Sequence, residues 1–283
     1  MHDKNYLSVY AKSFSWAGFF LPKGTFKKCS ALYDFCRVAD NIADDDEQIK
    51  IKEYKFQKFE NDFNQKNFNN LIIKNMWSLI DEFNISLKII HDLFDGIRSD
   101  IKERVKLNSK KDLLIYSYRV AGTVGLMMAK ILKVSKKNSL KSAIDLGIAM
   151  QLTNISRDVI EDSENNRFYI SNNFEEISST IKLADSFYKD SFYSIKDIPI
   201  SFRFSILVAR RVYRKIGYKI LDKQDLENYK NSGKIYVSNI EKTLETFLSI
   251  FDLIKLSLSN KNNSEIKHEH LLINEDINLD ERI

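Results

Sequence analysis

Two pairs of aspartates carry the clearest chemistry in the sequence. Asp40 and Asp44 stand four residues apart, and so do Asp158 and Asp162. On a helix this spacing stacks each pair one turn apart, a like-charge arrangement that costs a few tenths of a kcal/mol even in solvent. At about 100° per residue, Leu32, Phe35, Cys36, Ala39 and Ala43 share an apolar face, and Tyr33, Arg37, Asp40 and Asp44 form a stripe along its border. The second pair repeats the pattern. Gly147, Gln151, Asn154, Asp158 and Asp162 follow at steps of four, three, four and four, flanked by apolar Leu152, Ile155 and Val159. Beside a core, paired carboxylates demand cations. Two such oxygen-rich walls facing each other suit a hard divalent ion, Mg²⁺ first and Mn²⁺ as the alternative, which prefers a few carboxylates plus phosphate oxygens. A soft metal is a poor fit, because His2, His91, His268 and His270 make no helix-spaced set with carboxylates. Either pair alone reads as a charged helix face; the signal is that both occur on apolar-flanked stripes.

The elements that must position these stripes are helices. Only 2 Pro and 8 Gly occur in 283 residues, too few for the many reversals of a sandwich or propeller. Helical periodicity predicts helices over 5–20, 26–44, 48–64, 69–81, 86–106, 111–133, 137–162, 175–194, 200–227 and 234–258. No hairpin signal and no fixed-period repeat appears. The expected fold is all-α, a single-domain helical bundle around a central cavity, over residues 1–258, with 259–283 as a polar, weakly docked tail. Gly122, Gly125 and Gly147 fall inside predicted helices, where each costs about 1 kcal/mol relative to Ala. They mark a close approach of helix or substrate.

Composition narrows the class. The chain is 43% hydrophobic, enough for a sizeable core, and its 44 Lys and Arg against 39 Asp and Glu leave a net charge of +5. The basic residues are dispersed and match no nucleic-acid motif, so no nucleic acid partner is expected. No apolar run approaches the length of a membrane span, and the polar start Met1 to Asn5 does not read as a signal peptide. Cys29 and Cys36 lie two helical turns apart, too far for a bridge within one helix. The expected location is cytoplasmic.

With these residues in place, the sequence resembles the squalene and phytoene synthase family. Tyr33 through Asp44 resembles the family's first aspartate-rich motif. Gln151 through Asp162, followed by Arg167 and Tyr169, is similar to the second, and this string is the most specific. Lys12-Ser13-Phe14 with Phe19-Phe20-Leu21-Pro22 resembles the amino-terminal segment, and Tyr116 with Val120 through Gly125 resembles the central tunnel helix. Ala209-Arg210 through Tyr213 and on to Val237 resembles the closing helices. Three positions depart from the usual pattern. Asn41 replaces a frequent Asp but turns away from the stripe, Lys234 replaces Arg and loses its bidentate fork, and Ser171 replaces a frequent Pro.

The resemblance implies an isoprenoid synthase-like fold and a Mg²⁺-dependent prenyltransferase that joins two prenyl diphosphates head to head and releases pyrophosphate. Asp40, Asp44, Asn154, Asp158 and Asp162 are implied as metal ligands. Ser13, Phe14, Arg37, Tyr116, Val120, Gly125, Gln151, Asn154, Arg157, Arg167, Tyr169 and Lys234 are implied at the substrates. Ionisation of one substrate gives an allyl cation, the second substrate's double bond attacks it, and proton loss closes a cyclopropyl diphosphate. A second ionisation, rearrangement and proton loss give the linear product. Released pyrophosphate, Tyr33 or Tyr213 takes a proton, and the sequence does not choose between them. The favoured reaction joins two geranylgeranyl diphosphates to phytoene, the entry to carotenoids. The alternative joins two farnesyl diphosphates to dehydrosqualene or squalene, and no nicotinamide-binding loop favours the reductive version. From a different class, a non-catalytic helical assembly protein of the same fold is the competing reading. Greasy substrates and the +5 charge also suggest peripheral association with the inner face of a membrane.

Overall fold

The computed structural model describes residues 12–261 and 267–283, with side chains from residue 15 onward. Helix α1 (Lys12–Gly18) is followed by α2 (Lys23–Asp44), α3 (Ile49–Asn64), α4 (Leu71–Phe83) and α5 (Leu87–Ser99). A short strand β1 (Val105–Lys106) precedes α6 (Lys110–Ser117), a π-helical turn (Tyr118–Gly122) and α7 (Thr123–Ile131). Then come α8 (Lys137–Glu164), β2 (Arg167–Phe168), α9 (Phe174–Asp190) and a 3₁₀ turn (Tyr193–Asp197). Helices α10 (Ile200–Leu221), α11 (Leu226–Asn231), α12 (Asn239–Leu258) and α13 (His268–Asn274) complete the order, with a last 3₁₀ turn at Leu279–Glu281. The all-α expectation holds.

The apolar face predicted for α2 is the one it buries. Leu32, Phe35, Ala39 and Ala43 are sealed in the core, and the Phe35 ring packs 5.5 Å from both Phe59 and Phe63 and 5.9 Å from Phe94. Each such ring contributes about 1.5–3 kcal/mol by burial. This fixes the rotation of α2 and leaves its aspartate stripe at the edge of the core. Helix α8 runs through the centre, packed on α7, the π turn, α9 and α10. Its crossing with the π turn and α7 depends on two glycines. A Cβ on Gly125 would lie 2.3 Å from the Ala143 carbonyl oxygen, and one on Gly147 would lie 2.3 Å from that of Ala121. The close approach expected at these glycines is therefore between helices.

Four expectations are corrected. The helix predicted over 111–133 is interrupted by the π turn, where the Thr123 N–H bonds the Tyr118 carbonyl and the Thr123 hydroxyl donates to the Arg119 carbonyl at 2.6 Å. The extra residue rotates the helix, and beyond it Met127 and Ile131 are buried in the core. The helix predicted over 86–106 stops at Ser99, because β1 pairs in parallel with β2, Val105 opposite Arg167 and Lys106 opposite Phe168. The span 200–227 divides into α10 and α11.

The fourth correction concerns the tail. Residues 267–283 dock firmly: Ile273 and Leu279 are fully buried, and their cations meet two buried carboxylates. Lys267 lies 2.9 Å from Asp145 Oδ2, with His270 Nε2 2.6 Å from Oδ1. Arg282 donates from Nε to Asp92 Oδ2 at 2.9 Å and from Nη2 to Oδ1 at 3.1 Å, while Tyr118 donates to the same Oδ2 at 2.8 Å. A polar segment holds here because core helices supply buried acids for it. Removing one partner of such a pair leaves an uncompensated buried charge. Arg282→Ala is expected to lower unfolding stability by about 3 kcal/mol, read as a shift of the denaturant midpoint; an unchanged midpoint would show that the docked segment contributes nothing.

Candidate active site

The two aspartate walls meet because three short pieces of backbone draw them together. After α8, Asn166 takes the left-handed conformation at φ 58°, which Asn tolerates better than most residues, and turns the chain into β2. Pairing with β1, through Val105 N–H to the Asn166 carbonyl at 3.0 Å and Leu107 N–H to Phe168 at 3.1 Å, holds Arg167 and Tyr169 over the site. The same pairing anchors the chain that leaves Asp100 at the end of α5.

Three of the four carboxylates, Asp40, Asp44 and Asp158, carry a guanidinium. Arg37 Nη1 donates to Asp40 Oδ2 at 2.6 Å, and its Nη2 lies 3.8 Å from Asp44. Arg167 Nη1 donates to Asp44 Oδ1 at 2.7 Å, and its Nη2 donates to the Ala43 carbonyl at 3.2 Å. On the other wall Arg157 Nε donates to Asp158 Oδ1 at 2.8 Å. Lys234 lies 2.6 Å from Glu161 and 3.5 Å from Asp158, so the cation expected in place of Arg reaches this wall. Arg167 joins the walls: it bonds Asp44 and acts electrostatically on Asp162 and Asp100.

The arginines do not neutralise the site. Burial, and then the neighbouring Asp158 carboxylate, push Asp162 up to about 7. Burial and then Asp44 raise Asp40 in the same direction, against the pull of Arg37. Yet Asp40 keeps 43% of its side-chain surface accessible. Strong desolvation together with an open surface describes a side chain on the wall of a concavity. Asn154, on the same stripe, donates to Gln151 Oε1 at 3.5 Å, while its Oδ1 is buried with no hydrogen-bond partner among the described residues. Excess negative charge and an orphaned amide oxygen are oxygen donors of the kind that could hold a hard divalent cation. The carboxylates now turn to arginine, and among the described residues no three acidic, His or Cys groups converge on one point. A Mg²⁺ ion held here would need phosphate oxygens and water to complete its coordination.

The remaining expected residues divide. Tyr33 and Tyr213 lie close enough to act on one another electrostatically, Tyr33 beside Arg37 and Asp40, Tyr213 beside Arg157 and Asp158. Burial pushes the Tyr33 phenol up to about 12 and raises Tyr213, so both stay protonated. Tyr116 and Tyr169 stack with ring centroids 4.6 Å apart. Val120 and Gly125 serve packing as well: a Cβ on Gly96 of α5 would lie 2.8 Å from Val120 Cγ1, and Gly125 faces α8 rather than open space. The side chains of Ser13 and Phe14 lie outside the described residues.

Sequence reasoning missed Asp100. This buried carboxylate accepts from Tyr116 at 2.7 Å through Oδ2 and from Tyr169 at 2.8 Å through Oδ1. Burial is the chief reason it is pushed up to about 6, against these two hydrogen bonds and the Arg167 charge. The available signal was an acid at the carboxyl end of an amphipathic helix, where the helix dipole disfavours it. Tyr229 was missed too; its hydroxyl donates to the carbonyls of Ser156 and Arg157 at 3.0 and 2.7 Å, tying α11 to the second wall.

Residues 7–174 match the model of a family described as squalene/phytoene synthase. Among curated proteins, the 15-cis-phytoene synthase of Pantoea ananas is 27% identical over 252 residues, covering 77% of this chain and 81% of that protein. The 15-cis-phytoene synthase of a Paracoccus strain is 35% identical over 147 residues, covering 46% and 48%. Among solved structures, a dehydrosqualene synthase in complex with a ligand superposes with a TM-score of 0.74 at 26% identity, covering 88% of this chain and 94% of that one.

The raised carboxyls fix a sign for stability against pH. A group whose folded pKa lies above its unfolded value near 4 keeps its proton longer in the folded chain, so ionising it between about pH 4 and 7 costs stability. Asp162→Asn cannot ionise. In ligand-free protein this variant is expected to melt a few degrees higher than the parent at about pH 8, or about 1–2 kcal/mol, with little difference at about pH 4. An unchanged or lower melting temperature at the higher pH would contradict the strain assigned to this wall.

Proposed function

The chain belongs to the squalene/phytoene synthase family, and from that premise we propose that it joins two geranylgeranyl diphosphates head to head to give phytoene. It is a prenyltransferase of isoprenoid biosynthesis, and the non-catalytic reading is set aside. The observation that carries the proposal is the pair of aspartate stripes, each with its own guanidinium, drawn together by Arg167. A diphosphate carries several negative charges and fits only where cations outweigh carboxylates. Here the carboxylates need cations of their own.

Asp40 and Asp44 on one wall, and Asn154, Asp158 and Asp162 on the other, would hold Mg²⁺. When bound, Mg²⁺ supplies charge that stabilises the departing pyrophosphate. Arg37, Arg157 and Arg167, now folded onto aspartates, provide planar forks for bidentate hydrogen bonds to phosphate oxygens. Lys234 adds a point charge at the same edge. Tyr33 and Tyr213, held protonated by burial, are not available as phenolate proton acceptors, and their hydroxyls can donate hydrogen bonds that orient the diphosphate. Released pyrophosphate is then the better acceptor for the protons lost. Asp100 binds the hydroxyl hydrogens of Tyr116 and Tyr169 and sets the facing of both rings, whose π surfaces can stabilise a passing cation.

No helix among the described residues is long and apolar enough to cross a membrane. A wholly apolar C40 product and the +5 charge support peripheral contact with an anionic membrane surface. Recovery entirely in the supernatant after sedimentation with anionic vesicles would remove that part of the proposal.

Incubation of purified protein with Mg²⁺ and each of geranylgeranyl and farnesyl diphosphate, with mass analysis of the hydrocarbon, tests substrate length. A C40 product is expected; a C30 product alone would replace phytoene by dehydrosqualene or squalene. Asp40→Asn and Asp158→Asn are each expected to reduce turnover at least about 10³-fold while the helical circular dichroism is unchanged. Full activity in either variant would remove the roles given to the two walls.

A further inference from the structure

Helix α12 is built inside out. Its inward face carries Lys242, Glu245 and Ser249, all buried, with Leu256 the one buried apolar residue, and beside them Asp252. Arg211 of α10 donates from Nε to Glu245 at 2.9 Å and from Nη1 to Asp252 at 2.8 Å. Lys219 bonds Glu241 at 2.8 Å. The polar side of the helix is thus its attachment to the fold, the reverse of an ordinary surface helix.

The outward face is apolar. Ile240, Leu244, Phe247, Phe251, Ile254 and Leu258 are between 51% and 83% exposed. Their steps are four, three, four, three and four, and at about 100° per residue they fall within a strip about 80° wide. Strict alternation of three and four is the repeat of a helix seam that takes knobs into holes from a second helix, narrower than the apolar stripe of a helix lying on a core. Ile250 widens it at one edge, at 44% exposed. The polar exposed neighbours are Asn239, Thr243 and Ser257, and Lys255 is the one charged residue exposed on this helix.

We propose that this seam is the contact between two copies of the chain, helix α12 packing against its symmetry mate. Three observations select a second copy. The acids of α12 are all turned to the arginine and lysine of α10, so the seam presents no charge that a like surface would repel. Helices that lie on anionic lipid carry a dense row of Lys or Arg, and here a single Lys borders the strip. An identical stripe on both partners is self-complementary, as a two-fold interface requires. The area is sufficient. Six large apolar side chains more than half exposed offer roughly 600–900 Å² per copy, against about 800 Å² per partner in a standard stable interface.

Sedimentation velocity of the full chain at about 10 µM, in the range where such areas hold, is expected to show a dimer. Phe247→Glu combined with Phe251→Glu is expected to give a monomer with the same helical circular dichroism and the same product formation. If that variant does not fold, Leu244→Lys with Ile254→Lys tests the same seam. A parent chain that sediments as a monomer, or a folded double variant that remains a dimer, overturns the proposal. So does a monomeric parent whose sedimentation with anionic vesicles is lost in the double variant, because the seam would then belong to a lipid surface.

Discussion

Carboxylates stacked one turn apart on a helix repel each other, and the repulsion grows when the helix face borders a core. This chain does it twice, and adds a third acidic wall at Asp100. Everything around the site is arranged to hold that charge in place. Arg37, Arg157 and Arg167 each bind an aspartate directly, yet Asp40 and Asp162 remain raised, burial being the larger cause and the adjacent carboxylate the next. Stability alone would favour fewer acids here. The proposed ligand, which would bring cations and phosphate together, accounts for their presence.

Holding such a site demands stiffness, and the stiffness comes from backbone contact. Gly125 lets α7 touch α8, and Gly147 lets α8 touch the π turn, at distances no side chain permits, which fixes the second wall relative to the π turn. Phe35 and its three aromatic neighbours fix the first. The π turn changes helix register between Tyr116 and Met127, so Tyr116 reaches Asp100 while Met127 returns to the core. The C-terminal segment braces the same region from outside, since Arg282 and Tyr118 share the Asp92 carboxylate.

Much of this was legible in the sequence where the interactions are local in spacing. The buried face of α2, the stripe on α8 and the close approach at the glycines follow from helical geometry and residue type alone. What was not legible depends on partners far apart in the chain. Asp100 gains meaning only beside Tyr169, 69 residues away. The docking of residues 267–283 requires Asp92 and Asp145, whose burial nothing in their own helices announces. The π turn and the two-residue strand pair are set by packing rather than by local preference. Helix α12 misleads for a related reason: its apolar stripe has helical spacing, but spacing cannot say whether that stripe turns inward, and its arginine partners on α10 turn it outward.

The central claim is that the two aspartate walls form one site for a diphosphate bound together with Mg²⁺. Calorimetric titration of the protein with inorganic pyrophosphate, with and without Mg²⁺, tests this directly and without turnover. Tight binding is expected only when both are present, and is expected to be lost in Asp158→Asn. Pyrophosphate binding of equal strength with and without Mg²⁺ would contradict the claim, because the arginines would then suffice and the four aspartates would have no cation to hold.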